Sequence, residues 1–166
     1  MLRKNRSQKV KDESGGIYVI IASRYNAMYV DAMLRAAREE LQNAEARVRI
    51  IRVPGAFEIP AVVARVAHRS ANRKTRRGAP LSAILCLGVI FQGETPHAQH
   101  ISWGVTHALA QIQVLYRIPV VHGVYLFEKV KHARVRCLGT KHNRGTEAAH
   151  TALEMARVMK GLKVES

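Results

Sequence analysis

The pattern of apolar residues constrains the fold of this chain more than any other feature. Four short, almost wholly apolar runs alternate with longer segments in which apolar residues recur at helical spacing. Such runs are typical of strands buried on both faces, as in parallel sheets. Strands that alternate with helices imply right-handed βαβ crossovers, which place helices on both faces of the sheet. The sequence therefore predicts an α/β fold, a three-layer αβα sandwich around four parallel strands.

The same pattern predicts the bounds of the elements. The strands are expected at residues 17–23, 48–53, 81–89 and 119–126. The helices are expected at residues 28–44, from 60 through 67, at about 96–116 and at 145–159. The buried faces expected for the first, third and last helices contain Met28, Ala32, Leu34, Ala37 and Leu41; Ile101, Val105, Ala108, Ile112 and Leu115; and Ala148, Ala152, Met155 and Val158 or Met159. A chain of 166 residues suits one compact domain, here residues 15–166.

The net charge of +15 raises the question of an anionic partner. Residues 1–14 carry a net +3 and predict a basic, flexible tail, while residues 69–78 carry five basic residues and predict a solvated loop. Neither segment has the interleaved aromatic residues that stack on bases. Nonspecific contact with polyanions is therefore the expectation, rather than sequence-specific recognition of nucleic acid.

Two features bear on the compartment. The longest apolar run has 11 residues, well short of the ~20 that span a bilayer, and no apolar stretch follows the basic start. Cys86 and Cys137 lie 51 residues apart without metal-ligand spacing. The sequence therefore predicts no membrane partner, free thiols and a cytoplasmic location.

In sheets of this kind, ligands bind beyond the carboxyl ends of the strands. Residues 23–26, 54–58, 90–97 and the stretch after residue 126 are expected to meet there. Within GETPH, Gly93 allows close backbone approach, Thr95 is expected to cap the next helix, and Pro96 suits its first turn. Free N–H groups at such a helix start favour an anion, so this segment is a candidate phosphate site; an ordinary strand-to-helix turn is the alternative.

Other residues near these ends each allow two interpretations. His97 is a candidate acid or base near neutral pH, or a solvated residue. Arg136 suits bidentate phosphate binding, or is simply solvated. Glu58 is a ligand acceptor or a helix-dipole residue, and Tyr25 and Phe57 are apolar walls or packing residues. Cys86, in an apolar strand, is expected in the core.

Several motifs together narrow the choice of protein family. They are SRYN (23–26), VPGAFEIP (53–60), LGVIFQGETPH (87–97) and R-x8-G (136–145) followed by EAAHTALEM (147–155). Their order and spacing resemble the 6,7-dimethyl-8-ribityllumazine synthase family over residues 17–162. The resemblance implies a flavodoxin-like fold and the penultimate step of riboflavin biosynthesis. In that step, 5-amino-6-ribitylaminouracil joins 3,4-dihydroxy-2-butanone 4-phosphate, with release of phosphate and water and without a metal or organic cofactor.

The resemblance also implies roles for matching positions. Tyr25 would stack on the pyrimidine and Glu58 would hold the ribityl chain, while His97 would transfer protons and Arg136 would bind phosphate. The residues implied to give polar contacts around the pyrimidine are Asn26, Ala56 and Ile90, and those implied to form the phosphate turn are Gly93, Glu94 and Thr95. The family forms pentamers, some assembled into shells. By that resemblance Tyr25, Glu58 and His97 come from one subunit and the neighbour supplies His122, Arg136 and Arg144.

Five residues depart from the pattern of the family, and Tyr25 is the mildest change, since it keeps an aromatic face. Gln92 stands where Arg is common, Gln99 where an acid is usual, His122 where an aromatic is usual and Arg144 where Lys is common. The missing positive charge at position 92 predicts weaker phosphate affinity, and Gln99 removes one group that would tune His97.

Two other interpretations stay open. The first is a flavin- or nucleotide-binding flavodoxin-like domain, although SRYNAM after the first strand offers no glycine-rich phosphate cradle and no Walker motif is present. The second is a basic, non-catalytic shell or nucleic-acid-binding relative of the family.

Overall fold

The computed structural model describes residues 15–72 and 80–162. The expected basic tail and most of the expected basic loop lie outside these residues. The elements are β1 (Ile17–Ser23), α1 (Ala27–Asn43), β2 (Arg47–Val53), α2 (Ile59–Ala71), β3 (Leu81–Phe91), α3 (His97–Tyr116), β4 (Val120–Phe127), α4 (Val130–Ala133) and α5 (Arg144–Gly161). The predicted strands and helices are thus confirmed, with ends that shift by one or two residues except that α2 extends to Ala71, into the expected loop.

The four strands form one sheet in the order β2-β1-β3-β4, and all neighbours are parallel. Helices α1 and α5 cover one face, and α2 and α3 cover the other. The predicted three-layer, flavodoxin-like α/β architecture is confirmed. Because the chain leaves β1 and β3 in opposite directions along the sheet, a crevice opens between their carboxyl ends.

The central strands explain why their sequences are continuously apolar. Residues 18–23 of β1 and residues 83–90 of β3 are buried, since helices cover both faces. Ile20, Ile21 and Leu85 have no exposed surface, and burying a side chain of this size stabilises the fold by about 1.5–3 kcal/mol. Strand β2, at the sheet edge, alternates exposed and half-buried residues over most of its length. Strands β1 and β3 are therefore held firmly in the core, and the turns that follow them start from fixed positions.

The expected helix faces need correction at several positions. Met28 is 58% exposed, whereas Tyr29, Val30 and Met33 are buried, so the buried face of α1 is rotated from the expected one. Leu115 on α3 is 70% exposed and Leu109 takes its place in the core, while Val158 on α5 is also exposed. Helix α3 has apolar residues on both faces, so spacing alone does not select the face that packs.

Two short helical turns after β4 were not expected. Helix α4 and the π-helical turn Arg134–Leu138 are mostly exposed and basic, and they bury only Ala133 and Cys137. These two residues lie one helical turn apart and face α1 and α5. The segment is held by two small side chains, which is why the sequence shows no apolar period there.

A buried asparagine fixes the start of α5. Asn143 Oδ1 accepts a hydrogen bond from Gly145 N at 2.8 Å, and its Nδ2 donates to the Cys137 carbonyl at 2.7 Å. A Cβ on Gly145 would lie 1.9 Å from the Met33 carbonyl oxygen, so α5 and α1 meet backbone to backbone. Only glycine fits this contact, which sets the position of Arg144 beside it.

Both cysteines are fully buried free thiols, as expected for Cys86. Burial raises the pKa of both thiols, that of Cys137 to about 11, so they stay protonated at neutral pH. Among the described residues, no helix combines the length and the apolar character that crossing a membrane requires.

Candidate active site

Backbone hydrogen bonds join the carboxyl ends of neighbouring strands. Arg24 N donates to the Val53 carbonyl at 2.8 Å and Tyr25 N donates to the Pro54 carbonyl at 3.0 Å, linking β1 to β2. Gln92 N donates to the Phe127 carbonyl at 2.9 Å, linking β3 to β4. These bonds bring the segments after all four strands to one end of the sheet.

Asn26 closes the remaining gap, between β1 and β3. Its backbone is left-handed, with φ 57°, a conformation that asparagine tolerates better than most residues. Its Nδ2 donates to the Val89 carbonyl at 2.8 Å, across the crevice. This side chain, expected near the pyrimidine, therefore also holds the turn that carries Tyr25.

Arg52 braces the same turn from β2, a role the sequence did not indicate. Its Nη1 lies 2.6 Å from Asp31 Oδ1 on α1, and its Nη2 donates to the Ser23 carbonyl at 2.9 Å. Strand β2 contains two other arginines, Arg47 and Arg49, and Asp31 lies 21 positions before Arg52, so the sequence gives no signal that singles out this pair. The contact joins β2, α1 and the end of β1 through one half-buried guanidinium.

Two aromatic rings stand open at this end of the sheet. Tyr25 is 73% exposed and Phe57 is 62% exposed, and Glu58 beside it is exposed as well. Ala56 and Ile90 are 8% exposed beneath them. Exposed rings over an apolar floor suit walls for a planar ligand better than core packing.

The turn between β3 and α3 is exposed, including Gly93, Glu94 and Thr95. A Cβ on Gly93 would meet nothing within 4 Å, so space lies above the turn. Helix α3 begins at His97 with Pro96 in the capping position and no side-chain cap, so the expected Thr95 cap is wrong. The first N–H groups of this 20-residue helix stay available for an anion.

Gln92 occupies the inner side of that turn. Its Nε2 donates to the Gly93 carbonyl at 2.8 Å and to the Thr95 carbonyl at 2.9 Å. Its Oε1 is buried and has no hydrogen-bond partner among the described residues. The Thr95 carbonyl thus bonds to Gln92, while the Thr95 side chain does not cap the helix.

His122 lies elsewhere, on the edge strand β4. It lies opposite Cys86 in the register of β3 and β4. Five residues, or about 16 Å of strand, separate His122 from the end of β4. Thr106 Oγ1 donates to the Ser102 carbonyl at 2.8 Å, so at its 2.9 Å contact with His122 Nε2 the hydroxyl accepts and Nε2 carries the proton. Partial burial lowers the pKa of His122 from its usual value.

Arg144 lies near His122 in a groove of about 440 Å³ at the β4 edge. Its guanidinium sits 5.4 Å from the centre of the Tyr125 ring and pairs with Glu147. Burial, the larger effect, raises the pKa of Tyr125 although Arg144 acts to lower it. Arg136 is exposed on the turn whose Cys137 is buried.

The candidate residues therefore fall into two groups. The strand-end group contains Tyr25, Asn26, Ala56, Phe57, Glu58, Ile90, Gly93, Glu94, Thr95 and His97. The β4-edge group contains His122 and Arg144, which line the groove, and Arg136, which lies on the helical turn after β4. Within the described ranges, no three His, Cys, Asp or Glu side chains cluster in a way that could hold a metal ion.

Comparison with known proteins identifies the family. A family model described as 6,7-dimethyl-8-ribityllumazine synthase matches residues 17–160. The chain belongs to this family. A 6,7-dimethyl-8-ribityllumazine synthase from Stenotrophomonas maltophilia (strain K279a) is 36% identical over 148 residues, which cover 87% of this chain and 90% of the relative. One from Xanthomonas campestris pv. campestris (strain B100) is 37% identical over 145 residues, covering 86% and 88%.

The expected membership of the lumazine synthase family is thus confirmed. Relatives that share most of their length and carry the name of an enzyme do not favour the non-catalytic interpretation. The matched range includes both groups of candidate residues.

Proposed function

We propose that this chain condenses 5-amino-6-(D-ribitylamino)uracil with 3,4-dihydroxy-2-butanone 4-phosphate to form 6,7-dimethyl-8-ribityllumazine, a transferase reaction of riboflavin biosynthesis. The observation that carries the proposal is the match to the lumazine synthase family over residues 17–160. The strand-end group supports it, since its open aromatic rings, carboxylate and anion-accepting turn suit the two substrates.

The strand-end group divides between the two substrates. Tyr25 and Phe57 would flank the pyrimidine, and Asn26, Ala56 and Ile90 would surround it. Glu58, exposed at the start of α2, would accept hydrogen bonds from the ribityl hydroxyls. The Gly93–Thr95 turn and the first turn of α3 would bind the phosphate through backbone N–H groups.

The reaction needs several proton transfers at one place. The amine adds to the ketone, loss of water forms an imine, phosphate leaves, and closure onto the second nitrogen releases a second water. Holding both reactants together supplies about 7–11 kcal/mol of the barrier reduction, whereas one acid or base contributes about 10²–10⁴-fold. His97, at the open start of α3 beside the phosphate turn, is the proposed proton-transfer residue.

We further propose that each active site forms between two subunits of a cytoplasmic homo-oligomer, a pentamer or an assembly of pentamers. Residues His122 and Arg144 line a groove at the edge strand, and His122 lies about 16 Å along β4 from the end of that strand. Contact between the two groups across a subunit boundary would place the arginines of the β4-edge group beside the aromatic rings, carboxylate and phosphate turn of the strand-end group. A head-to-tail contact of this kind closes into a ring.

The activity is tested with the purified protein and both substrates. Lumazine fluorescence and free phosphate should rise together, one phosphate for each lumazine. Omitting either substrate should abolish both signals. An intact oligomer that forms no lumazine from both substrates would overturn the proposed activity.

The two-subunit site is tested by complementation. One variant carries Glu58→Ala and His97→Ala, and the other carries Arg136→Ala. Random co-assembly of equal amounts should restore about a quarter of wild-type activity, because one contact in four then joins two intact halves. Assemblies mixed after separate folding are the control. Activity no higher than the mean of the two variants would show that each site lies within one chain.

A further inference from the structure

Gln92 stands where the family commonly has arginine, at the base of the turn between β3 and α3. We propose that Gln92 is a positioning residue: its amide draws two carbonyl groups of the Gly93–Thr95 turn inward, so that the turn presents N–H groups to the phosphate of the substrate. This inference rests on the proposed function and specifies how this chain, which lacks the usual arginine, builds its phosphate site.

The geometry fixes which way the amide points. Both Nε2 hydrogens are used, on the Gly93 carbonyl at 2.8 Å and on the Thr95 carbonyl at 2.9 Å. Rotating the amide by half a turn would place Oε1 against the same two carbonyl oxygens, and three acceptors would then face one another. Only a donor at this position is compatible with the turn.

The inward carbonyls matter because a carbonyl oxygen repels an anion. Two of these carbonyls are bonded to Gln92, and the first N–H groups of α3, at the positive end of the helix, have no side-chain cap. Open space lies above Gly93, where a Cβ would meet nothing within 4 Å. The phosphate would approach from that side.

The base of the turn is anchored as well. Gln92 N donates to the Phe127 carbonyl, which ties the residue to β4. Its buried Oε1 has no partner among the described residues, an arrangement that costs free energy. A side chain that leaves a buried oxygen unpaired is not explained by stability, and this favours a role in binding.

The first test removes the donors without changing the length of the side chain. Gln92→Met should raise KM for the butanone phosphate about tenfold and leave KM for the pyrimidine within twofold. Gln111→Met, on the exposed face of α3, is the matched control and should change neither constant. Gln92→Lys keeps donors that can reach the carbonyls and should return KM for the phosphate substrate to within threefold of wild type.

The second test uses a pH profile. In Gln92→Glu the new carboxylate faces two carbonyl oxygens and should raise KM for the phosphate substrate strongly at pH 8. As the pH falls, the carboxyl gains a proton that it can donate, so the ratio of variant to wild-type KM should decrease. Glu94 and His97, the titratable groups of the same turn, are common to both proteins and cancel in the ratio.

The outcomes separate the two proposals. If the wild type forms no lumazine, the proposed function fails. If the wild type is active and Gln92→Met has an unchanged KM for the phosphate substrate, the positioning role alone is wrong. A pH-independent ratio for Gln92→Glu would also overturn it, and this holds even if Gln92→Met fails to fold.

Discussion

The two groups of candidate residues differ in what holds them in place. The strand-end group stands on β1 and β3, whose ends are joined by backbone bonds and by the side chains of Asn26, Arg52 and Gln92. The β4-edge group lies on an edge strand and the helical segments after it, where the polar contacts are those of His122 with Thr106 and of Arg144 with Glu147. The first group is preformed in one chain, while the second has its functional groups on an open surface.

Sheet position explains this difference. A central strand has neighbours on both sides, so its end is fixed by bonds from both. An edge strand leaves a row of backbone groups unpaired and is a natural place for another chain to cover. Substitutions of the side chains that join the strand ends should therefore disturb geometry, and those in the second group should remove charge without disturbing the fold.

Arg136→Ala should have the largest effect, a loss of turnover of about a thousandfold or more. The guanidinium is proposed to make charge-assisted bonds to phosphate, and Arg136 is exposed, so its removal should leave the fold intact. Steady-state turnover and melting temperature Tm are measured together. Arg134→Ala, in the same turn, should stay within threefold of wild type. Equal losses in the two variants would show that general charge, rather than this position, matters.

His97→Ala should lower turnover by roughly 10–10³-fold, less than Arg136→Ala, because positioning supplies most of the acceleration. His107→Ala, at an exposed position of α3, provides the comparison and should retain the wild-type turnover. An unchanged turnover in His97→Ala would remove this residue from the mechanism.

Tyr25→Ala should raise KM for the pyrimidine about tenfold, while Tyr25→Phe should retain most activity. Stacking needs the ring, and base-to-ring stacking is worth about 1–3 kcal/mol. The ring is largely exposed, so neither change should alter Tm by more than about 2 °C. Damage from Phe equal to that from Ala would assign a role to the hydroxyl group.

Arg52→Met should raise KM for the pyrimidine roughly threefold and lower Tm, because the Ser23 carbonyl and Asp31 both lose their partner. The combined effect distinguishes a brace from a binding residue, which would change KM alone. Arg49→Met removes a charge from an exposed position of the same strand and should change neither. A fall in Tm with unchanged KM would make Arg52 purely structural.

The smallest effect concerns His122. Because its pKa is lowered in the folded chain, the unfolded chain takes up the proton first as the pH falls below about 6.5. The contribution of His122 to the free energy of unfolding is therefore fully present above that pH and is lost as the pH falls below it. When the pH is lowered from 7.5 to 5.5, the Tm of His122→Gln should fall by less than the Tm of the wild type. The pair of His150 with Glu40 is common to both proteins and cancels; His107→Gln should behave as wild type.

The sequence was sufficient to predict the sheet, because a strand buried on both faces must be apolar throughout. It was less informative for α1, where alanines leave the buried face undefined until Asn26 sets the start of the helix. The strand-end group could be predicted because strand ends in parallel sheets converge. Arg52, Gln92 and Asn143 could not, since their roles depend on carbonyl oxygens that leave no mark in the sequence.

The contact between Gly145 and the Met33 carbonyl has a consequence for how the chain acquires its structure. The two residues are more than a hundred positions apart, and α5 is the last helix of the chain. During synthesis, part of one face of β1 and β3 and the side of α1 that packs on α5 lack this cover until α5 has been made. An apolar surface exposed for that long invites aggregation, so the final helix is where ribosome stalling or truncation would do most harm.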